Sequence, residues 1–287
     1  MIRERMLILL LPALFIVVGN VARGAEPAAK PASSVTIRCA VIGGLTEADF
    51  FTVIAGRFEK QTGHHVEIVA RGPKTIVAQA MTEGDADLAT MHVSDTIINL
   101  VADGYAADPQ PWARNDLVIA GPVSDPAGIR GEKDAVEAVR KIIESRSKIL
   151  IHASAGASEV LHELLAAGEL EFDPQRTISL PSDRHRQMLM RAVEEEAYTI
   201  VGRIPFLNAK IPRGGAEIMV QGDPRLRRPY VVVVANRKAK DAPSLAAARE
   251  MALFLRDKET QQFIAEFGRG HLDERPLFFP IETEPRR

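Results

Sequence analysis

Apolar runs of strand length alternate along this chain with longer stretches whose apolar residues recur at helical spacing. Val35 to Ile42 reads as a strand, Gly43-Gly44 as a tight turn, and Glu47 to Thr62 as an amphipathic helix closed by Gly63 at C′. Thr46 with Asp49 three residues on resembles a capping box. Strands over His65–Val69 and Asp87–Met91 and helices over Lys74–Glu83 and Ser94–Ala102 continue the alternation. Beyond them the pattern predicts a helix over Glu132–Ser145, a strand over Lys148–His152, and a Gly/Ala/Ser turn. A helix over Ser158–Ala167 follows, ended by Gly168, then a loop over Phe172–Pro181 and a helix over Asp183–Glu196. Strands over Tyr198–Gly202, Glu217–Val220 and Tyr230–Ala235 precede two helices, Leu245–Arg256 and Glu259–Phe267. Such alternation gives an α/β fold in which helices cover mostly parallel sheets and ligands gather beyond the carboxyl ends of the strands.

Two stretches stand apart, NDLVIAGPVSDPAGI from Asn115 to Ile129 and GDPRLRRPYVVVVAN from Gly222 to Asn236. Each holds a nearly continuous apolar run, as a strand buried on both faces does, beside a turn rich in Asp-Pro chemistry. They form a matched pair of crossing strands: the chain leaves one lobe through the first and returns through the second. The expected organisation is lobe 1 over 35–121, lobe 2 over 122–224, a return to lobe 1 over 225–281 and a tail over 282–287. A ligand cleft lies between the lobes.

The N-terminus adds a destination. A charged start, an apolar run of about thirteen residues from Met6 to Val18, and small residues at Ala22 and Gly24 make 1–24 a secretory signal peptide, too short to span a bilayer. Residues 25–34 (AEPAAKPASS) form a disordered tether. The one cysteine, Cys39, lies in the first strand, so there is no lipid-anchoring cysteine and no internal disulfide. A soluble periplasmic or secreted protein is expected. The formal net charge of −2, with charges of both signs mixed along the chain, gives no footprint for nucleic acid. One Trp and three Tyr give little stacking surface for a sugar.

The candidate ligand groups follow strands. Gly43, Gly44 and Thr46, then His92 and Ser94, then His152, Ser154, Gly156 and Ser158 offer close backbone approach and neutral donors. The alternative for Thr46, Ser94 and Ser158 is helix capping. Arg184 and Arg186, at a helix start, and Arg203, at the end of an apolar strand, are the cationic candidates. Arg203 equally suits an ion pair across the lobes. The histidines are scattered, His162-Glu163 lacks a second His four residues on, and no nucleophile elbow or phosphate-binding loop occurs. Neither a metal, nor a cofactor, nor catalysis is expected.

The strings NDLVIAGPVSDPAGI, EAYTIVGR, GDPRLRRPYVVVVAN and RPLFFP resemble the extracytoplasmic tungstate-binding proteins of ABC importers, over Val35 to Pro280. That resemblance implies a two-lobed type II periplasmic binding protein fold, with parallel-rich sheets joined by a double-strand hinge. It also implies a monomer that holds an oxyanion at the lobe interface and delivers it to an ABC permease. His92 in LATMHVSD and Arg203 in TIVGR match the family's positions. Two departures accompany them. The family's first Thr/Ser-rich anion loop is replaced by Val41-Ile42-Gly43-Gly44, and its second, Arg-containing loop by IHASAGASE. They leave a second reading open, of a binding fold redeployed as a sensor or adaptor.

Overall fold

In the computed structural model, which describes residues 34–46, 49–152, 155–181, 186–236 and 242–281, the apolar segment β1 (Thr36–Ile42) pairs in parallel with β2 (His65–Gly72) and β3 (Leu88–His92). Helices α1 (Gly43–Thr46), α2 (Phe50–Thr62), α3 (Lys74–Thr82) and α4 (Asp95–Ala102) complete this part. The long strand β4 (Ala106–Gly121) then leads to α5 (Ala135–Glu144), β5 (Lys148–His152), α6 (Ala155–Gly168) and the short β6 (Thr177–Leu180). Next come α7 (Met188–Glu194), β7 (Ala197–Gly202), α8 (Arg203–Leu207) and β8 (Glu217–Val220). The chain returns through β9 (Arg227–Ala235) to α9 (Pro243–Phe254), α10 (Lys258–Glu266) and β10 (Phe279–Pro280).

The strand order is β2-β1-β3-β9-β4-β7-β5-β6, with β8 and β10 also on β4. Both flanks are parallel, β5 pairing that way with β6 and β7, whereas β9 runs antiparallel to β3 and β4. The crossing is visible in β4 itself. From Ala106 to Asp116 it pairs with β9; from Leu117 to Gly121 it pairs with β7 and β8. Burial follows the exchange. Residues of 37–113 and 230–278 share one core, joined only by Ile204 from elsewhere, while 117–226 supplies two cores on the faces of the second sheet. Leu117 and Ile119 point into one of these and Val118 and Ala120 into the other, the two-residue period of a strand covered on both sides.

Several expectations change locally. Gly43 and Gly44 open the one-turn helix α1 instead of forming a simple turn. The capping box does not form: Asp49 has φ of 55° and no side-chain bond to the helix, and the Thr46 hydroxyl donates to the Gly43 carbonyl at 2.9 Å. Gly63 does close α2, with φ of 78° and its N–H on the Glu59 carbonyl at 2.8 Å. The segment expected as a loop over 172–181 contains the edge strand β6, and α6 begins three residues before Ser158. Helix α8 and strand β10 were not anticipated. The signal peptide, the tether and the tail lie outside the described residues, and no helix among the described ones is long and apolar enough to cross a membrane. Cys39 is fully buried.

The two Asp-Pro turns are anchors for the second half. Asp223 accepts from the Arg225 N–H at 2.9 Å and from the Ala135 N–H at the start of α5 at 2.7 Å. Tyr198, buried in β7, donates its hydroxyl to Asp125 at 2.7 Å and accepts from the Ala127 N–H at 2.9 Å, fastening the SDPAG turn. Gly121 makes room for this ring, since a Cβ there would lie 2.5 Å from it. Tyr198→Phe strips both bonds and leaves Asp125 and Ala127 short of a partner, at a cost of about 1–3 kcal/mol. Urea unfolding of the variant checks this, with a lowered midpoint as the expected result.

Candidate functional site

The carboxyl ends of β1, β3 and β7 open onto one cavity of about 140 Å3. Gly44 and His92 line it from the first half, Gly202 and Arg203 from the second, and Asn115 and Tyr230 from the crossing strands. The apolar strands bring these polar groups together because each ends where its burial ends. Tyr230 is paired with His92 in the β3–β9 register, and their rings lie 4.1 Å apart. The Tyr230 hydroxyl reaches Gly44, where a Cβ would come within 3.1 Å of it. His92 Nε2 and Asn115 Oδ1, like Asp116 Oδ1 and Arg203 Nε beside them, are buried here without a hydrogen-bond partner among the described residues, so they are groups that a bound ion or water could complete. Larger hollows lie elsewhere, about 650 Å3 beside Gln187 and Met190, about 420 Å3 beside Arg146 and Arg176 and about 280 Å3 beside Gln110 and Leu253, and none of the three is lined by a described candidate.

Charge around the cavity is arranged in two groups. Arg203, wholly buried, pairs with Asp116 at 3.5 Å and Asp273 at 2.6 Å and also donates to the Pro276 carbonyl. Arg275 adds a bond to Asp116 at 2.5 Å and one to Gln221 at 3.1 Å. Burial still holds the Asp116 carboxyl above the usual range, against the pull of Arg275 and Arg203. The second group is Arg228, Lys74 and Glu159. Arg228, directly opposite Asn115 in the β4–β9 register, reaches across to α6 and donates to Glu159 at 2.7 Å. Burial pushes Lys74 below the ordinary lysine value and Arg228 adds to the effect, while Glu159 and Asp95 oppose it. Burial first, then the charges of Arg228 and Lys74, push His92 down to about 3, with the neighbouring Asn115 amide opposing them. His92 is therefore a neutral group at any ordinary pH.

The sequence candidates separate accordingly. Gly44, His92 and Arg203 surround one cavity, but the guanidinium of Arg203 is committed to two carboxylates and a carbonyl. Gly43 adjoins the site from α1. The hydroxyls of Thr46, Ser94 and Ser158 donate to the carbonyls of Gly43, His92 and His152, at 2.9, 3.4 and 2.9 Å. Their protons serve the local backbone. His152 is buried beneath α6, lining a crevice with Ser158 and Leu161. Gly156 lies in the first turn of α6 against Arg228. Ser154 and Arg184 lie outside the described residues. Sequence reasoning missed Asn115, Tyr230, Lys74 and above all Arg228. Its signal was the Arg227-Arg228 pair at the head of the apolar run PYVVVVA, where two charges precede a strand with no other reason to carry them.

With this geometry in place, likeness to known proteins becomes informative. Residues 37–269 match the family described as bacterial extracellular solute-binding protein. The chain is 28% identical over 228 residues to the tungstate-binding protein TupA of Peptoclostridium acidaminophilum, spanning 78% of each. It is 27% identical over 229 residues to a putative ABC transporter anion-binding protein of Haloferax volcanii, spanning 78% of this chain and 65% of that one. The structure superposes on the tungstate-binding protein TupA from Desulfovibrio alaskensis G20 with a TM-score of 0.71 at 21% identity, covering 87% of this chain and 99% of that one.

Two expectations follow from the charges. Because the folded state lowers the His92 pKa below its unfolded value near 6.5, the stability involved is complete above pH 6.5 and is lost as pH falls toward about 3. Replacing His92 with Gln removes that dependence, so between pH 7 and pH 5 the variant should lose less stability than the wild type, by on the order of 1 kcal/mol. Denaturant midpoints at the two pH values measure it. Arg203→Ala leaves Asp116 and Asp273 without their common partner and should cost about 3–5 kcal/mol, as other broken buried pairs do. Calorimetric unfolding should show a markedly lower Tm.

Proposed function

The chain belongs to the bacterial extracellular solute-binding protein family, and from that premise we propose that it captures a small oxyanion, tungstate- or molybdate-like, and hands it to an ABC permease. The observation that carries this reading is the cavity where the two halves meet, with His92 Nε2 and Asn115 Oδ1 buried in it and unpaired. Its volume of about 140 Å3 is small beside the roughly 300–1,000 Å3 of pockets for drug-sized molecules, which favours an ion of a few atoms. Cationic side chains at the margin, Arg228 and Lys74, favour negative charge, and neutral groups such as His92 and the backbone around Gly43 and Gly44 favour discrimination by hydrogen bonding. A wrong protonation state leaves a buried group unpaired. Relatives named for tungstate and anion binding support the ligand class.

Capture in this reading proceeds by closure of the lobes about the crossing strands. The proposed lobes are 35–121 with 225–281, and 122–224. The exchange of partners in β4 after Asp116 supports a pivot a few residues inside the first boundary. The protein works as a periplasmic monomer after loss of 1–24, without catalysis. Binding, not turnover, is its output.

A thermal-shift panel on the purified protein with tungstate, molybdate, sulfate, phosphate and small carboxylates tests the reading. At a hundred times its Kd a ligand stabilises by about 2.7 kcal/mol, raising Tm by roughly 5–10 °C. A selective rise with one oxyanion is expected. Silence across the whole panel would overturn the reading and favour the redeployed fold.

A further inference from the structure

We propose that Glu159 holds the place of the ligand in the free protein, and that an oxyanion binds by displacing its carboxylate from the Arg228 guanidinium. The inference rests on the oxyanion reading above and names the residue pair that governs affinity. Arg228 belongs to the crossing strand, where its cross-strand neighbour is Asn115, a lining residue of the cavity. Its guanidinium lies so close to Gly156 of α6 that an added Cβ would stand 2.2 Å from Nη1 and the arginine would have to shift. The Arg228 side chain is 10% exposed, so its charge has been withdrawn from water and needs an anionic partner.

That partner is held loosely. Glu159 is 42% exposed and meets Arg228 through Oε2 and Nη2 at 2.7 Å, a single bond where a guanidinium and a carboxylate can form two. The same cluster adjoins the cavity: Arg228 stands opposite the lining residue Asn115 in the β4–β9 register, and the charges of Arg228 and Lys74 bear on His92. Glu159 therefore compensates Arg228 and, together with Asp95, Lys74, close to buried atoms that lack partners. A tetrahedral dianion can use both faces of the fork, compensate Lys74 as well, and return Glu159 to water at little cost. The exchange favours a doubly charged ion over a singly charged one, since the displaced group carries one charge. It also accounts for the absence of an arginine in the IHASAGASE segment: the cation arrives from β9 instead.

Titration calorimetry with tungstate, molybdate and sulfate tests this on the wild type, Glu159→Gln, Arg228→Gln, Arg228→Lys and the double variant. Glu159→Gln, which removes a competing charge from a half-exposed position, should bind the preferred oxyanion about tenfold more tightly. Arg228→Gln should bind at least about tenfold more weakly, and Arg228→Lys, with charge but no fork, in between. On the Arg228→Gln background the Glu159 substitution should have no effect, which separates displacement from a general gain of positive potential. Circular dichroism confirms that each variant is folded. A silent wild type beside a binding Glu159→Gln variant overturns the oxyanion reading for the natural chain, and the inference with it. Unchanged or weaker binding by Glu159→Gln, with a wild type that binds, overturns the inference and leaves the oxyanion reading standing. If wild type and Glu159→Gln are both silent, the two fall together.

Discussion

The antiparallel ladder between β4 and β9 is the constraint on which the rest depends. Every parallel unit hangs from it: β1, β2 and β3 through β9 on one side, and β5, β6 and β7 through β4 on the other. An antiparallel pair is the simplest way for one chain to leave a core and return to it with both passages hydrogen-bonded along their length. The pair also has to change cores midway. At Asn115-Asp116 and Arg227-Arg228 the apolar burial of one half has ended and that of the other has not begun, so the ladder carries its polar residues there. The site is the consequence of that gap.

Charge at a crossing buried on all sides has to be compensated in place. Asp116 is wholly buried, and the C-terminal segment supplies what it needs, with Arg275 on its carboxylate and Asp273 and the Pro276 carbonyl on Arg203. The same segment then lays β10 against β4 at Ala113 and Arg114, and Arg275 and Arg227 stack on Phe279. The last described residues thus tie both sides of the crossing. Such a network contributes little net stability when intact and a large penalty when broken, so it fixes geometry more than it strengthens the fold.

How much of this was legible in the sequence depended on range. Strands buried on both faces announce themselves by unbroken apolar runs, which is why β5 was placed to the residue and β4 and β9 were recognised as a pair. Gly63 and the two Asp-Pro turns were equally local, because their chemistry acts within a few residues. The edge strand β6 was not legible: its four residues have one covered face, and their pairing with β5 is a tertiary fact. The early start of α6 was hidden because Gly156 is a poor helix former and Ser158 has the residue type of an N-cap. For the site, the sequence marked the strand ends, and so Gly44, His92 and Arg203, but not what each would touch. The capping alternative for Thr46, Ser94 and Ser158 went unrealised in its strict form too, since their hydroxyls donate backward to carbonyls.

The contrast between the two arginines shows why contact sets, not residue types, decide a role. Arg203 stood out in the sequence because it ends an apolar strand, and the fold surrounds it with Asp116, Asp273 and Pro276. Its two terminal nitrogens donate to Asp273 and to the Pro276 carbonyl, and releasing it would take a cation from two carboxylates at once. Arg228 stood in a pair of charges with no evident use, and among the described residues the fold gives it one ion pair, with the half-exposed carboxylate of Glu159. Releasing that bond exposes a group that water already reaches. A cation held by several buried partners is part of the frame, whereas a buried cation held by one solvated partner can exchange it. By that criterion the arginine the sequence advertised is the structural one, and the arginine it concealed is free to meet a ligand.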